Sequence, residues 1–420
     1  MKIPGKREKI SLIFFFILVL CHGITCPIFA DTSGTLLIAV YASGGTLEES
    51  GLITRDLFQI VKGAENCFSD NCTIIAAYGG ADKPGWHGMT IADLDDLKAD
   101  LSNRILGDDN SFTIHLPGAS MGDPKTLQFY LSYLRENHHY TRVFLIFIGH
   151  GQAYTGMLFD QNHDDDGLTI GELTTSLEIG PEIELIGFDS CLMGCLEMVS
   201  ALSPFAHFAI TSEESEPAEG WPYKPWISYL GQNPNAKADE HAKELFKNYM
   251  NNERQGKTIS LLYLKDAGFL TLQLERFAKD LHALAGTDEG CRIIKEALSD
   301  TQQFGLTGSG DLSEATMDLY NFAETIKRKV PYISDSADGV IEGINRTVVV
   351  ARHDERVPGA HGIAVLSPVQ INPLFYDYYR ESAFITPAWD KFISRYLDKC
   401  SEKKDMLPVT SSDINVAEPN

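Results

Sequence analysis

Positive charge is scarce in this sequence. Its 420 residues carry 35 Lys and Arg against 58 Asp and Glu, which gives a formal net charge of -23 at pH 7. A chain this acidic repels phosphate backbones, and this argues against nucleic acid as a partner. The scarcity is also local, because no Lys or Arg occurs between Arg142 and Lys224.

The N-terminal apolar run is too short to span a membrane. Residues 10–20 form a run of about 11, against the roughly 20 that a bilayer requires. A basic stretch precedes the run and a small residue, Ala30, follows it, which is the layout of a secretory signal peptide. We expect residues 1–30 to be removed and the mature chain to be exported, to the periplasm or the medium, as a monomer without a membrane anchor.

Short apolar runs alternate with segments of helical periodicity in the first half of the chain. The runs lack polar alternation, which is typical of strands buried on both faces of a parallel sheet. This order predicts an α/β protein with an open, mostly parallel sheet flanked by helices. The predicted strands are residues 36–41, 73–78, 143–148, 183–188, 208–211 and 363–366.

The second half of the chain is richer in helical patterns, and no internal repeat is present. We divide the mature chain into a core, residues 31–235, and a mainly helical part, residues 236–400, that packs on or adjoins it as extra layers. Residues 401–420 form a polar tail that we expect to be disordered.

Six cysteines follow residue 30, and an exported protein can form disulfides. The candidate pairs are Cys67 with Cys72 and Cys291 with Cys400. A further pair, Cys191 and Cys195, either forms a local disulfide or remains two thiols. That choice separates the two functions considered below.

Two predicted strands end just before reactive side chains. One ends at Ile148, before His150, and the other ends at Phe188, before Cys191. Ligand sites in open α/β sheets form beyond the carboxyl ends of the strands. If the two strands are neighbours, the imidazole lies beside the thiol and can ionise it to a nucleophile. The N–H groups of Gly151 and Cys191 would then form an oxyanion hole.

Residue types alone leave this interpretation open. A histidine at a strand end is often a solvated or structural residue, and Cys191 with Cys195 can form a disulfide in an exported protein. The helical pattern at residues 192–202 would favour a thiolate if its amino end pointed at the sulfur.

The flanks of both residues resemble the clostripain family of cysteine peptidases, which share the caspase-like fold. The resemblance rests on His150-Gly151 after an apolar strand and on Gly-Phe-Asp-Ser-Cys-Leu-Met-Gly at residues 187–194. It extends over residues 36–397. It implies a cysteine endopeptidase that hydrolyses peptide bonds through a thioester, with a dyad of His150 and Cys191 and no required third member.

The resemblance also implies a pocket for the side chain that precedes the cleaved bond. Asp189 would line this pocket, and Glu219 is a second candidate; a turn or capping carboxylate is the alternative for Asp189. Because a buried carboxylate needs a cationic partner, we expect polypeptide substrates cut after Arg or Lys. The turn at residues 41–46 departs from the family, being neutral where Asp or Asn is usual.

An acidic loop between the two strands has alternating oxygen-bearing side chains before Gly167, like the first half of an EF-hand loop. Calcium use in the family supports a structural calcium ion there, although Glu172 falls one place early and a solvated acidic loop is the alternative. The chemistry itself needs no cofactor. The candidate ligands are Asp160, Asn162, Asp164 and Asp166.

Two functions from different classes follow. The first is a secreted cysteine endopeptidase. Family members are often cut at a basic residue in the loop between the catalytic strands, but this loop has none, so we predict no self-cleavage there. The alternative is a non-catalytic exported binding module of the same fold with a Cys191–Cys195 disulfide.

Overall fold

The apolar runs of the sequence form strands in the structure, a computed structural model. It describes residues 35–65, 71–106, 114–251, 257–305, 315–369, 371, 376, 379–380 and 386–401. The strands are β1 (Leu36–Ser43), β2 (Cys72–Gly79), β3 (Met89–Asp93), β4 (Ile114–Leu116), β5 (Arg142–Ile148), β6 (Met157–Asp160), β7 (Asp166–Leu168), β8 (Ile183–Asp189), β9 (Ala206–Thr211), β10 (Thr258–Tyr263), β11 (Gln303–Phe304), β12 (Thr316–Asp318), β13 (Val348–His353) and β14 (Ala364–Leu366).

The helices begin at local capping signals. Asp123 caps α3 and is followed by proline, and Thr169 with Glu172 forms a capping box on α4. The helices are α1 (Leu52–Ala64), α2 (Leu94–Leu106), α3 (Pro124–Asn137), α4 (Ile170–Leu177), α5 (Leu196–Leu202), α6 (Tyr223–Gln232), α7 (Ala238–Met250), α8 (Ala267–Leu284), α9 (Asp288–Ser299), α10 (Leu319–Lys329), α11 (Ser334–Thr347) and α12 (Pro387–Lys399).

Nine strands form the main sheet in the order β13-β10-β9-β8-β5-β1-β2-β3-β4. The five central strands, from β9 to β2, pair in parallel, and the strands outside them pair antiparallel. The predicted fold class, an open and mostly parallel sheet, is therefore confirmed.

Helices cover both faces of this sheet. In β1, Ile38 and Val40 pack toward α1, α2, α6 and α7, while Ala39 and Tyr41 pack toward α3, α4, α5 and the later helices. Every residue of β1 is buried. Burial on both faces explains why the central strands are continuous apolar runs.

The C-terminal half adds layers to the same sheet. Strands β10 and β13 extend it beyond β9, and α8 to α12 pack on the core of one face. The described residues from Thr35 onward form one compact unit. The late strand β14 belongs to a separate three-stranded sheet, β11-β12-β14, and reaches the main core through a bridge between Ala364 and Cys195.

One of the candidate disulfides is present. Cys291 and Cys400 are bonded and join α9 to the end of α12. The other candidate falls outside the described residues, because Cys67 is not described; Cys72 lies buried in β2. Among the helices that the structure describes, none combines the length and apolarity that crossing a membrane requires.

Candidate active site

The register of β5 and β8 brings His150 level with Cys191. The strands pair in parallel with Ile148 opposite Asp189, and each reactive residue lies two positions beyond this pair. The Gly149 N–H donates to the carbonyl oxygen of Asp189 at 3.2 Å, so the pairing continues past the ladder. The imidazole and the thiol therefore leave the sheet at the same carboxyl edge.

His150 is half-buried and is held by its backbone and its ring. Its carbonyl oxygen accepts from the Leu158 N–H at 2.9 Å, and its Nε2 lies 2.7 Å from Thr46 Oγ1. Burial lowers the pKa of His150, and the charge of Asp165 partly offsets this. Because only the neutral imidazole can accept a thiol proton, the lowered pKa keeps the base available at neutral pH.

Gly151 lies directly against the cysteine segment. A Cβ added to Gly151 would come within 2.5 Å of the Cys191 carbonyl oxygen and 3.0 Å of the Ser190 Cβ, so the close approach requires glycine. Gly151 forms a β-bridge with Met157, but the hydrogen bonds of this bridge are made by the residues that flank these two. The bridge thus does not use the Gly151 N–H. The oxyanion hole of Gly151 and Cys191 stays a prediction.

Cys191 lies in a turn, not at the start of a helix. Leu192 has a φ of +64°, a left-handed conformation that residues with a Cβ rarely adopt, and α5 begins only at Leu196. The expectation that a helix from residue 192 points its amino end at the sulfur is therefore wrong. Instead, the Glu216 N–H donates to Cys191 Sγ at 3.3 Å, and such a donor favours a thiolate.

The turn that carries Cys191 is fixed by the segment after β9 and by β14. The Gly194 N–H donates to the Ser212 carbonyl at 2.7 Å, and the Leu192 N–H donates to the Glu214 carbonyl at 3.3 Å. On the other side, the Ala364 N–H donates to the Gly194 carbonyl at 2.9 Å. The C-terminal half therefore supports the turn that carries Cys191 directly.

Neither Cys191 nor Cys195 forms a disulfide. Cys195 is completely buried, and burial, followed by the charge of Glu197, raises the pKa of its thiol well above the usual value. A thiol in such surroundings is inert. The half-buried Cys191 is the accessible one of the two.

Asp189 is buried beneath the edge that carries the dyad. Its Oδ2 accepts from the Trp221 N–H at 3.0 Å and from the Tyr223 hydroxyl at 2.8 Å. Burial raises the pKa of Asp189, and these donors, with others, only partly offset the effect. Trp221 and Tyr223 thus hold the Asp189 side chain in position, as expected for a turn carboxylate. Asp189 also belongs to a larger group of acidic residues.

Two further carboxyl groups, which the sequence did not indicate, lie beside Asp189. A Cβ on Gly220 would be 2.8 Å from Asp189 Oδ2 and 2.9 Å from Asp56 Oδ2, so both oxygens face the same small space. The third carboxyl group of this set is that of Glu216. Burial and then the charge of Asp189 raise the pKa of Glu216 well above the usual value. Asp56, Asp189 and Glu216 are called the acidic cluster below.

One cation lies at the edge of the acidic cluster. Arg55 Nη2 is 3.2 Å from Asp56 Oδ1, and it also donates to the Ala218 carbonyl at 3.3 Å. Burial and the charge of Asp189 nevertheless raise the pKa of Asp56 to about 8, against the opposing effect of Arg55. The Trp221 Nε1–H donates to Glu216 Oε2 at 2.9 Å, and the side chains of Glu216 and Asp189 share a hydrogen bond. The cluster therefore carries more carboxyl groups than its cation can neutralise.

Glu219, the second pocket residue predicted from the sequence, lies half-buried in the same loop, next to Gly220. The contacts given above connect Asp189 with Glu216 and Asp56 instead. A role of Glu219 in the pocket stays a prediction.

The predicted calcium loop is organised by hydrogen bonds within the protein. Asp160 is completely buried; its Oδ1 accepts from the Asn162 N–H at 2.8 Å and its Oδ2 from the Met121 N–H at 2.7 Å. The Asn162 side-chain amide donates to the Ala81 carbonyl at 3.0 Å. Both side chains therefore form hydrogen bonds with backbone groups of the protein.

The later residues of the loop do not complete a metal site either. Asp164 is exposed, Asp166 Oδ2 accepts from the Ser120 hydroxyl at 3.2 Å, and Glu172 is engaged with Thr169 in the capping box. Within the described part of the chain, no group of three or more His, Cys, Asp or Glu side chains is placed to hold a metal ion. In this conformation the loop does not fit a calcium ion.

A thiol and an imidazole at the carboxyl ends of adjacent parallel strands, with one backbone N–H on the sulfur and a glycine against it, are the arrangement of a cysteine protease. Comparison with known proteins gives the family. The model of the clostripain family, peptidase family C11, matches residues 40–356, which is more than half of the chain. The chain belongs to the clostripain family of cysteine proteases.

Individual relatives are distant. Clostripain of Hathewaya histolytica is 28% identical over 100 residues, which covers 20% of this chain and 19% of clostripain. The chain thus matches about a fifth of the length of this relative.

Solved structures share the fold. A secreted C11 cysteine protease from Bacteroides thetaiotaomicron, in complex with an irreversible peptide inhibitor, has a TM-score of 0.59 at 15% identity, covering 86% of this chain and 99% of that one. An inactive zymogen C11 protease from Parabacteroides distasonis has a TM-score of 0.60 at 14% identity, covering 83% and 96%.

Proposed function

We propose that the protein is an exported cysteine endopeptidase that cleaves polypeptides after Arg or Lys, with His150 and Cys191 as its catalytic dyad. The observation that carries the proposal is the register of β5 and β8. It brings Cys191 level with a histidine, and Cys191 is the one half-buried cysteine outside a disulfide among the described residues. Family membership supplies the reaction class.

The dyad performs the chemistry through proton transfers. Neutral His150 accepts the proton of the Cys191 thiol, and the thiolate attacks the carbonyl carbon of the cleaved bond. The imidazolium returns a proton to the leaving amine as the thioester forms, and water then releases the acid and frees the thiol. The Gly151 and Cys191 N–H groups are assigned to the developing oxyanion.

The acidic cluster supports a basic side chain before the cleaved bond. Three carboxyl groups lie beside one partly exposed arginine, burial favours their neutral forms, and a substrate cation in the pocket would favour their ionised forms. Arginine and lysine are the side chains that benefit from such a partner. Glu216 contacts Cys191 through its backbone N–H, Asp189 precedes Cys191 by two residues, and Asp56 faces the same small space as Asp189.

Export rests on the layout of residues 1–30, which lie outside the described residues, and on the structural relative that is a secreted protease. We assign no step to calcium. A structural calcium ion remains a prediction from the sequence, and unchanged activity and melting temperature after chelation would count against it.

Thiol labelling tests the dyad. We expect a cysteine-directed reagent such as iodoacetamide to modify Cys191 first, and we expect the rate to fall at least tenfold in His150→Ala. The matched control is His207→Ala, a surface histidine on β9. Slow labelling of Cys191 in the wild type, or an equal labelling rate in His150→Ala, would contradict the proposed dyad. An oxidised Cys191–Cys195 pair would favour the binding module.

A peptide library tests the pocket. Cleavage by the wild type is expected after Arg and Lys, and Asp189→Asn or Glu216→Gln should reduce kcat/KM for these peptides at least tenfold. A preference for cleavage after other residues would contradict the pocket assignment but not the proposed dyad.

A further inference from the structure

The segment that follows β1 lies beside the proposed active site. Gly45 has a φ of +44°, and a Cβ there would lie 3.2 Å from the Phe159 carbonyl oxygen and 3.6 Å from His150 Cδ2. Ser43 also donates from its hydroxyl to the Phe159 carbonyl, at 2.9 Å. The neutral turn that departs from the family pattern is therefore packed against the catalytic imidazole.

Thr46, the last residue of this turn, is in direct contact with the imidazole. Its Oγ1 lies 2.7 Å from His150 Nε2, within hydrogen-bond distance. An imidazole has two ring nitrogens, and in the neutral ring one donates and the other accepts. A partner on Nε2 therefore determines what Nδ1 can do.

We propose that Thr46 is a positioning residue that holds His150 with a proton on Nε2, so that Nδ1 is free to take the proton of Cys191. The inference rests on the proposed dyad. With Thr46 Oγ1 accepting from Nε2–H, the lone pair of Nδ1 receives the thiol proton, and the same hydrogen bond persists in the imidazolium. Thr46 acts through His150 and does not touch the reacting atoms.

A hydroxyl suits this position because it orients the ring without adding charge. A carboxylate at hydrogen-bond distance would favour the imidazolium and would remove the neutral base. Burial lowers the pKa of His150, with Asp165 as the opposing charge, and the neutral turn preserves that balance. The absence of a carboxylate at this position thus has a chemical consequence.

The test compares Thr46→Val, which keeps the shape but loses the hydroxyl, with Thr46→Ser, which keeps the hydroxyl. We measure kcat and KM on an arginine peptide and the rate of Cys191 alkylation by iodoacetamide. We expect Thr46→Val to lower kcat and the alkylation rate about tenfold with KM unchanged, and Thr46→Ser to stay within about twofold of the wild type. Thr175→Val, which removes an exposed hydroxyl on α4, is the control.

A second measurement isolates the pair. In a His150→Ala background, Thr46→Val should have no further effect, because its partner is gone. The inference would be overturned if Thr46→Val kept the wild-type kcat and alkylation rate. It would also be overturned if Thr46→Ser lost them, or if Thr46→Val caused an equal loss in the His150→Ala background. A wild type whose alkylation is unaffected by His150→Ala would instead contradict the dyad itself, so the two failures are distinguishable.

Discussion

At the scale of single residues, we expect the acidic cluster to make substrate binding depend on pH. Its carboxyl groups are buried, and burial raises the pKa of each, for Asp56 to about 8. At neutral pH the free enzyme therefore keeps at least one proton in the cluster. A substrate cation binds best to ionised carboxylates, so binding and loss of this proton are linked.

We predict that KM for an arginine peptide falls as pH rises from about 6 to about 9, because Asp56 ionises across this range. In Asp56→Asn the fall should be at least halved, since the group that titrates near pH 8 is gone. Asp239→Asn, which removes a surface carboxylate paired with Lys243, is the control. A KM that does not vary with pH in the wild type, or that falls equally in Asp56→Asn, would contradict the linkage.

The sequence indicated His150 and Cys191 as a candidate dyad, which stays a prediction, but it did not indicate the residues that surround them. His150 and Cys191 each follow a recognisable strand, and parallel neighbours end at the same edge. Asp56 lies on α1, and its place beside Asp189 depends on how α1 packs against the loop before α6, which no local pattern encodes. Thr46 lies in the neutral segment that departs from the family pattern, but only its contact with His150 indicates a role for it.

At the scale of elements, activity depends on how closely the ends of β5 and β8 approach. Gly151→Ala would place a methyl group 2.5 Å from the Cys191 carbonyl oxygen, so one strand end must move. We predict that kcat/KM falls more than tenfold, because a displacement of about 1 Å at reacting groups costs this much. Gly171→Ala on α4 is the control, since its added Cβ meets its nearest neighbour, Thr169 Oγ1, at 3.9 Å. Equal activity of the two variants would refute the predicted close approach.

The connection between β5 and β8 lacks the residues that the enzyme is proposed to recognise. No Lys or Arg occurs between Arg142 and Lys224, so we predict that active enzyme stays uncut between His150 and Cys191. Intact-mass analysis of active material checks this. A break made by the wild type but not by Cys191→Ala inside this connection would contradict the specificity.

Strand prediction succeeded for the central strands, which are unbroken apolar runs. It missed β4 and β13, toward the sheet edges, which expose many of their residues. It also missed β3 and β10, although most of their residues are buried. The apolar pattern at residues 192–202 suggested one helix, but hydrogen bonds from Gly194 to Ser212 and from Leu192 to Glu214 hold the first residues in a turn. Long-range contacts override periodicity there.

At the scale of the whole molecule, the Cys291–Cys400 disulfide joins the end of α12 to α9. Both residues are buried, at 7% and 4% exposure, so a mild reductant that keeps Cys191 reduced should leave the disulfide intact. We predict that Cys291→Ala/Cys400→Ala lowers the free energy of unfolding by about 2 to 4 kcal/mol while kcat at 25 °C stays within twofold. Thermal and urea denaturation measure the loss, and an unchanged melting temperature would contradict it.

The central claim is that Cys191 is the nucleophile, and the chain provides a matched control four residues away. Cys195 is also a free thiol, but it is completely buried. The decisive measurement is cleavage of a peptide library under reducing conditions by the wild type, Cys191→Ala and Cys195→Ala. We predict cleavage by the wild type and by Cys195→Ala, and a loss of at least a thousandfold in Cys191→Ala. Cleavage that survives in Cys191→Ala, or its absence in the wild type, would contradict the account.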